Sequence, residues 1–92
     1  QKKYVMMDYG SIVGISTSFL NSDNLDLEVV LLINGKEVLF SNEFYNQDNG
    51  IDFDLQSEKL TKVYPGDVVS LNVKTSGGNV DEINSAIKIS LE

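Results

Sequence analysis

Apolar and polar residues alternate with a period of two along most of the chain. The clearest run is residues 25–33, in which every odd-numbered position is apolar: Leu25, Leu27, Val29, Leu31 and Ile33. Successive side chains of a β-strand point to opposite faces of a sheet, so this period predicts strands rather than helices. Related runs cover residues 12–20, 38–40, 51–55, 60–63, 69–73 and 87–91. We therefore predict an all-β domain of about eight antiparallel strands.

Two short motifs predict tight turns between these strands. Asn34-Gly35 follows the run at 25–33, and this pair favours a two-residue hairpin because both central residues adopt positive φ. Pro65-Gly66 suits the two central positions of a type II turn, which need a fixed φ and then a positive φ. Longer connections, where function is commonly found, are expected in stretches rich in Asn, Asp, Ser or Gly, at residues 21–24, 42–50 and 76–84.

One predicted strand has a face made of small side chains. Within residues 12–20, Gly14, Ser16 and Ser18 alternate with larger residues. Such a face indicates the close approach of another layer or another chain. A domain of 92 residues without cysteine has a thin core and no disulfide to support it, so partner subunits would add stability.

The charge balance limits the partners. Fourteen acidic residues stand against seven lysines, and arginine is absent, which gives a net charge of -7. Nucleic acids and anionic membranes both require clustered basic residues, so we expect neither as a partner. No apolar run is long enough to span a bilayer, so we expect no membrane insertion. Because the chain begins with Gln1 rather than Met, we expect it to be one domain of a longer protein.

The residue types argue against catalysis. His and Cys are both absent, which removes the usual general base and the thiol nucleophile. Asp52 and Asp54 lie on one face of a predicted strand, about 6.5–7 Å apart, a separation that inverting glycosidases also use. Their alternation with Ile51, Phe53 and Leu55 is more typical of a strand with core-facing apolar residues and solvated carboxylates. We therefore predict that the chain is not an enzyme and needs no cofactor.

Residues 45–50 share only their acidic and amide content with a calcium loop. In an EF-hand register the first ligand would be Tyr45 and the twelfth would be Gln56, although calcium requires carboxylates there. We therefore predict no metal site.

The strongest binding candidate is the segment 43–48. It places Phe44 and Tyr45 among amide and carboxylate side chains in a predicted loop. A tyrosine ring packs against the C–H groups of a sugar, while amides and carboxylates pair with its hydroxyls. Burial of the aromatic pair beneath the loop is the alternative. We predict a saccharide site at Tyr45, Asn46, Gln47 and Asp48, joined by Asn79 and Asp81 from the connection at 76–84.

Three features occur in an order that resembles a known fold. They are a strand that begins at Tyr9-Gly10, an apolar strand that ends in Ile33-Asn34-Gly35, and a late strand that begins at Gly66-Asp67-Val68. The chain thereby resembles the trimeric jelly roll of the tumour-necrosis-factor and complement globular-head superfamily. Within it, the chain looks most like the head domain of a receptor-binding protein from a tailed phage of lactic acid bacteria. The resemblance implies a jelly-roll-like sandwich or barrel over residues 1–92, a homotrimer, and a C-terminal head on a longer fibrous protein.

The resemblance also implies a function. Such heads bind a cell-wall saccharide of the bacterial host, and they do so outside the cell at the virion tail tip. Related heads are known for Trp, His and Arg in their saccharide pockets, and all three are absent here, so those pocket residues cannot be carried over. Two alternatives stay open: a structural trimerisation or capping domain of a fibrous surface protein, and a monomeric carbohydrate-binding sandwich module.

Overall fold

The computed structural model describes residues 3–92, so Gln1 and Lys2 of the predicted domain lie outside the described residues. Six antiparallel strands and no helix occur between Lys3 and Glu92, which confirms the all-β prediction. The strands are β1 (Lys3–Val5), β2 (Gly10–Ile33), β3 (Lys36–Leu55), β4 (Lys62–Val63), β5 (Val68–Thr75) and β6 (Glu82–Leu91). Residues 3–92 form no helix that is long and apolar enough to cross a membrane.

The strand count is six instead of about eight because two pairs of predicted strands are continuous. β2 joins the runs at 12–20 and 25–33, and β3 joins the runs at 38–40 and 51–55. The loops predicted at 21–24 and 42–50 are therefore wrong. Leu20 pairs with Asn49 and Leu25 pairs with Gln47, with register shifts between these pairs. Bulges of this kind let two paired strands bend together without leaving the sheet.

The bend divides the long hairpin of β2 and β3 between two layers. In the three-stranded layer, the first half of β2 lies between β6 and the second half of β3. The short strand β4 pairs with the start of β2, at Gly10 and Ser11, on the same side as β3. In the four-stranded layer, the order is β1, β5, the second half of β2 and the first half of β3. Ile12 and Ile15 of the first layer form one buried cluster with Val29 and Leu31 of the second, so the layers pack face to face like a sandwich.

The core has two apolar clusters and a polar link. The larger cluster surrounds Ile15 and Leu31, and the smaller one is built on the Phe19–Phe44 ring pair, whose centroids lie 4.8 Å apart. The fully buried Asn42 accepts a hydrogen bond from Thr17 Oγ1 at 2.8 Å and donates to Asp54 Oδ2 at 2.8 Å. Every buried side-chain polar atom in residues 3–92 has a hydrogen-bond partner, as the low dielectric of a core requires.

Both predicted turns are confirmed. Asn34 and Gly35 have φ values of 52° and 80°, and Ile33 pairs with Lys36 across them. Gly66 has φ of 92°, and Asp67 N donates to Tyr64 O at 2.9 Å, which closes the turn. The left-handed conformation that Asn and Gly tolerate is the reason these positions could be identified from sequence.

The predicted orientation of residues 51–55 is wrong. Ile51, Phe53 and Leu55 are 86%, 64% and 62% exposed, while Asp52 and Asp54 are half-buried. Asp52 pairs with Thr17 and Asp54 pairs with Ile15, both of which face the core, and directly opposed residues share a face of the sheet. The carboxylates therefore point toward the space between the layers, and the apolar side chains point to solvent.

Candidate functional site

An exposed tyrosine marks the outer face of the four-stranded layer. Tyr45 lies on β3 with 67% of its surface exposed. Its hydroxyl donates to Glu43 Oε2 at 2.8 Å, a side chain two positions earlier on the same face of the strand. The hydrogen bond fixes the orientation of the ring, whose apolar surface is open to a ligand.

Charged side chains of neighbouring strands lie in a row beside this tyrosine. Glu28 of β2 is directly opposite both Glu43 of β3 and Lys74 of β5. Lys74 Nζ forms an ion pair with Glu37 Oε2 at 2.8 Å. Like charges directly opposite one another repel, so Glu28 and Glu43 leave an excess of negative charge on this face. The row is therefore rich in hydrogen-bond acceptors and carries one partly neutralised cation.

These side chains surround a shallow depression, which we call the Tyr45 groove. Its volume is about 240 Å³, and its polar lining is Asp26, Glu28, Glu43, Tyr45, Lys74, Thr75 and Ser76. A second depression of about 720 Å³ continues from Glu28 and Tyr45 past the edge strand β3 to Asp52 and Asp54. The two depressions together give an elongated surface that runs from the Tyr45 groove along the edge of the sandwich.

The electrostatics keep the tyrosine hydroxyl in its donor form. The hydrogen bond to Glu43 and the charge of that carboxylate raise the pKa of Tyr45 above 10.0, and Glu28 and Asp26 add smaller effects. The ion pair with Glu37 likewise raises the pKa of Lys74, so this side chain stays cationic. At neutral pH the groove thus offers one cation, several carboxylates and a neutral phenol.

The sequence-predicted residues next to Tyr45 lie at the bend of β3. Asn46 has a φ of 51°, and its backbone N donates to Asp26 Oδ1 at 2.9 Å. Gln47 Nε2 donates to Asn49 O at 3.5 Å, and Asp48 Oδ1 accepts from Asn49 Nδ2 at 2.7 Å. All three are exposed, but none lines the Tyr45 groove. The prediction that segment 43–48 is a loop is wrong, because these residues belong to a paired strand.

Asp81 and Asn79 lie in the connection between β5 and β6, where a loop was predicted. Asp81 Oδ2 accepts from Ser22 N at 2.9 Å, and its backbone N donates to Asn21 Oδ1 at 3.1 Å. These bonds fasten the connection to the bend of β2, so the Asp81 carboxylate is engaged within the chain. Asn79 is exposed two positions before it. The bend of β2 therefore lies between the two predicted segments, and Tyr45 alone of the six predicted residues lines the groove.

The residues that sequence reasoning missed come from strands distant in the chain. Asp26 and Glu28 occupy the polar, even-numbered positions at the start of the run at residues 25–33, but nothing local connects them with Lys74. Only the pairing of Glu28 with both Lys74 and Glu43 brings the three together. Strand register over such separations is set by the core and the bulges, not by short motifs.

Asp52 and Asp54 form a carboxyl pair at the far end of the longer depression. Partial burial raises the pKa of Asp52, and the charge of Asp54 and a hydrogen bond to its side chain raise it further. Asp52 and Asp54 are two positions apart on β3 and share its inward face, so the charge of one carboxyl group acts on the ionisation of the other.

In residues 3–92, His, Cys, Asp and Glu side chains do not gather in any group of three or more that could hold a metal ion.

Comparison of the chain with models of known families, with curated proteins and with solved structures finds no match.

Proposed function

We propose that this domain binds a saccharide in the Tyr45 groove and thereby attaches a larger assembly to a cell surface. The observation that carries the proposal is the exposed Tyr45 ring, held by Glu43 beside carboxylates of two further strands. The ring supplies a flat apolar surface, and the carboxylates supply acceptors for sugar hydroxyls. Small-molecule sites combine aromatic or apolar side chains with a small number of placed polar groups in this way.

The charge of the groove narrows the ligand class. Asp26, Glu28 and Glu43 outnumber the single Lys74, which is already paired with Glu37. An acidic sugar would meet repulsion there, whereas a neutral or amino sugar would not. The proposed ligand is therefore a neutral or amino saccharide of a bacterial cell wall.

The proposed setting is the head of a phage receptor-binding protein at a virion tail tip. A shallow groove of about 240 Å³ supports only weak binding by one domain. Several copies on one particle would bind together with far higher avidity, so a weak site suffices for adhesion. The jelly-roll arrangement and the homotrimer that the resemblance implies stay predictions. A monomeric carbohydrate-binding module would use the same groove.

The test is saccharide binding by the wild-type chain and two matched variants. A glycan array that carries neutral, amino and acidic cell-wall saccharides identifies the probe, and NMR titration measures its affinity. Tyr45→Ala should weaken binding by about five- to tenfold, since stacking on an exposed aromatic ring contributes on the order of 1 kcal/mol. Tyr45→Phe, which keeps the ring and loses the bond to Glu43, should retain most of the affinity.

Tyr9→Ala is the control. Tyr9 is 55% exposed and packs edge-on against Tyr64, at the end of β2 opposite the bend. Its removal should leave saccharide binding unchanged. An array without signal, or a Tyr45→Ala variant that binds as well as wild type, would contradict the proposed function.

A further inference from the structure

The outer surface of the three-stranded layer is an exposed apolar face. Four of its side chains are large and apolar, namely Leu20, Ile51, Phe53 and Leu55, and they are 52%, 86%, 64% and 62% exposed. Beside them on β2 and β6 lie small side chains: Gly14, Ser16, Ser18 and Ala86. We call this surface the apolar face. It is separate from the Tyr45 groove, which is on the other layer.

The pairing of three strands arranges the apolar face in rows. From Gly14 to Leu20 the register of β2 with both neighbours is continuous, and its centre is Thr17, opposite Asp52 and Ser85. At one end of the face, Gly14 lies between Leu55 and Lys88; at the other end, Leu20 lies between Asn49 and Glu82. Lys88 therefore lies at one end, where Glu58 lines the same depression, and Glu82 lies at the other end.

The two charged residues are too far apart to neutralise each other. Lys88 and Glu82 are six positions apart on β6, which is roughly 20 Å at the rise of a strand. Between them the face carries no carboxylate, although the chain as a whole has a net charge of -7. Two copies of this chain could therefore approach through this face without the repulsion that their other surfaces would cause.

We propose that the apolar face binds a second copy of this chain in a two-fold, face-to-face pair. The two-fold axis lies in the plane of the interface and crosses the strands at right angles at Thr17. Each strand then faces the same strand of the other copy, running in the opposite direction. A residue on one side of Thr17 faces the residue that lies equally far on the other side. Lys88 then faces Glu82 of the second copy, twice in the pair. Phe53 faces Ile51, and Leu20 faces the Gly14 position, where the side chains of Leu55 and Lys88 close over the backbone. This self-complementarity is what a two-fold interface requires.

The area is sufficient for a modest interface. The four large apolar side chains expose on the order of 500 Å² per copy, which is within the size of patches that mark interaction sites. A pair would bury roughly 1,000 Å² of apolar surface, about the lower limit of a specific interface, before the polar rim is included. The pair is therefore expected to be in equilibrium with the monomer.

The central experiment is a charge swap followed by sedimentation. The 92-residue chain should show a mass that rises with concentration from 10.2 kDa toward twice that value. Lys88→Glu and Glu82→Lys should each weaken association about tenfold or more, because each places like charges together twice in the pair. The double variant should recover association to within about threefold of wild type, since the swap restores both ion pairs between copies.

Phe53→Ser and Leu39→Ser form a matched control pair. Both residues are exposed, at 64% and 106%, but Leu39 belongs to the four-stranded layer. Phe53→Ser should abolish association, and Leu39→Ser should leave it unchanged. A chain that stays monomeric at every concentration would overturn the inference. So would a mass three times that of the monomer, which would favour the homotrimer, or a double variant that associates no better than the single ones.

Discussion

At the scale of single residues, Asn42 connects the two layers of the sandwich. It is fully buried, yet its amide joins Thr17, the carbonyl of Ile15 and the carboxylate of Asp54. Thr17 Oγ1 also lies 3.0 Å from Ser85 Oγ, so the hydrogen-bonded chain extends to β6. A polar network in a core restricts the packing to arrangements in which each member keeps its partner, and we attribute the fixed register of β3 on β2 to this restriction.

Removal of the Asn42 amide should be costly. Asn42→Ala takes away the donor to the half-buried Asp54 carboxylate and leaves a small void beside Thr17. We expect a loss of about 2–4 kcal/mol in the free energy of unfolding, the range for orphaned buried polar groups. Urea denaturation measures it, with the exposed Asn24→Ala as control, expected within about 0.5 kcal/mol of wild type. Equal stabilities of the two variants would show that the network contributes nothing.

At the scale of elements, β3 resumes its pairing with β2 at Asn49, and the next residue, Gly50, lies in close contact with the core. A Cβ atom on Gly50 would lie 2.8 Å from Phe44 Cδ1 and 3.1 Å from Phe19 Cε1. These rings form the centre of the smaller core cluster. The aromatic pair therefore packs directly against the backbone of β3, immediately after the bend.

Substitution of this glycine should strain the cluster. Gly50→Ala would push against two packed rings, and overpacking of this kind costs about 1–3 kcal/mol. Gly77→Ala is the matched control, because a Cβ there would lie 3.7 Å from Leu25 Cβ, which is an ordinary contact. Thermal unfolding of both variants gives the comparison. If Gly50→Ala melts together with Gly77→Ala, the rings have room to move and the close packing is not limiting.

Short motifs predict the elements of this chain better than they predict its faces. Asn34-Gly35 and Pro65-Gly66 determine their turns locally, because positive φ depends on residue type. The continuity of β2 through residues 21–24 depends on bulges against β3, which no local pattern encodes. Likewise, Tyr45 could be identified from composition, whereas its neighbours Glu28 and Lys74 required the register of three strands.

At the scale of the whole molecule, a net charge of -7 makes stability sensitive to pH. Asp52 adds to this at the edge of the sandwich, where partial burial and Asp54 hold its pKa above the ordinary value of 3.8. The folded state therefore binds the Asp52 proton more tightly than the unfolded state does. Protonated Asp52 therefore contributes to stability below pH 3.8, and this contribution is lost as the pH rises through the raised pKa of the folded state.

Neutralisation of this side chain should therefore stabilise the domain at neutral pH. Asp52→Asn keeps a donor for Asp54 and removes the cost of ionisation, so its free energy of unfolding should exceed that of wild type at pH 7. The gain should be less than about 1 kcal/mol, because solvent screens the half-exposed pair, and it should shrink toward pH 3. Urea denaturation at pH 3, 5 and 7 measures the trend, with Asp23→Asn as the exposed control. A gain that grows toward acid pH would contradict the assigned direction.

The central position of β2 has a consequence for how the domain is made. β2 pairs directly with four of the other five strands described, and Thr17 meets Ser85 across 68 positions of sequence. Pairing between such distant segments makes folding slow. During synthesis, an early strand must wait with one edge unpaired until β6 has left the ribosome. Unpaired edges recruit other strands, so the interval between translation of β2 and of β6 is when this chain is most exposed to aggregation.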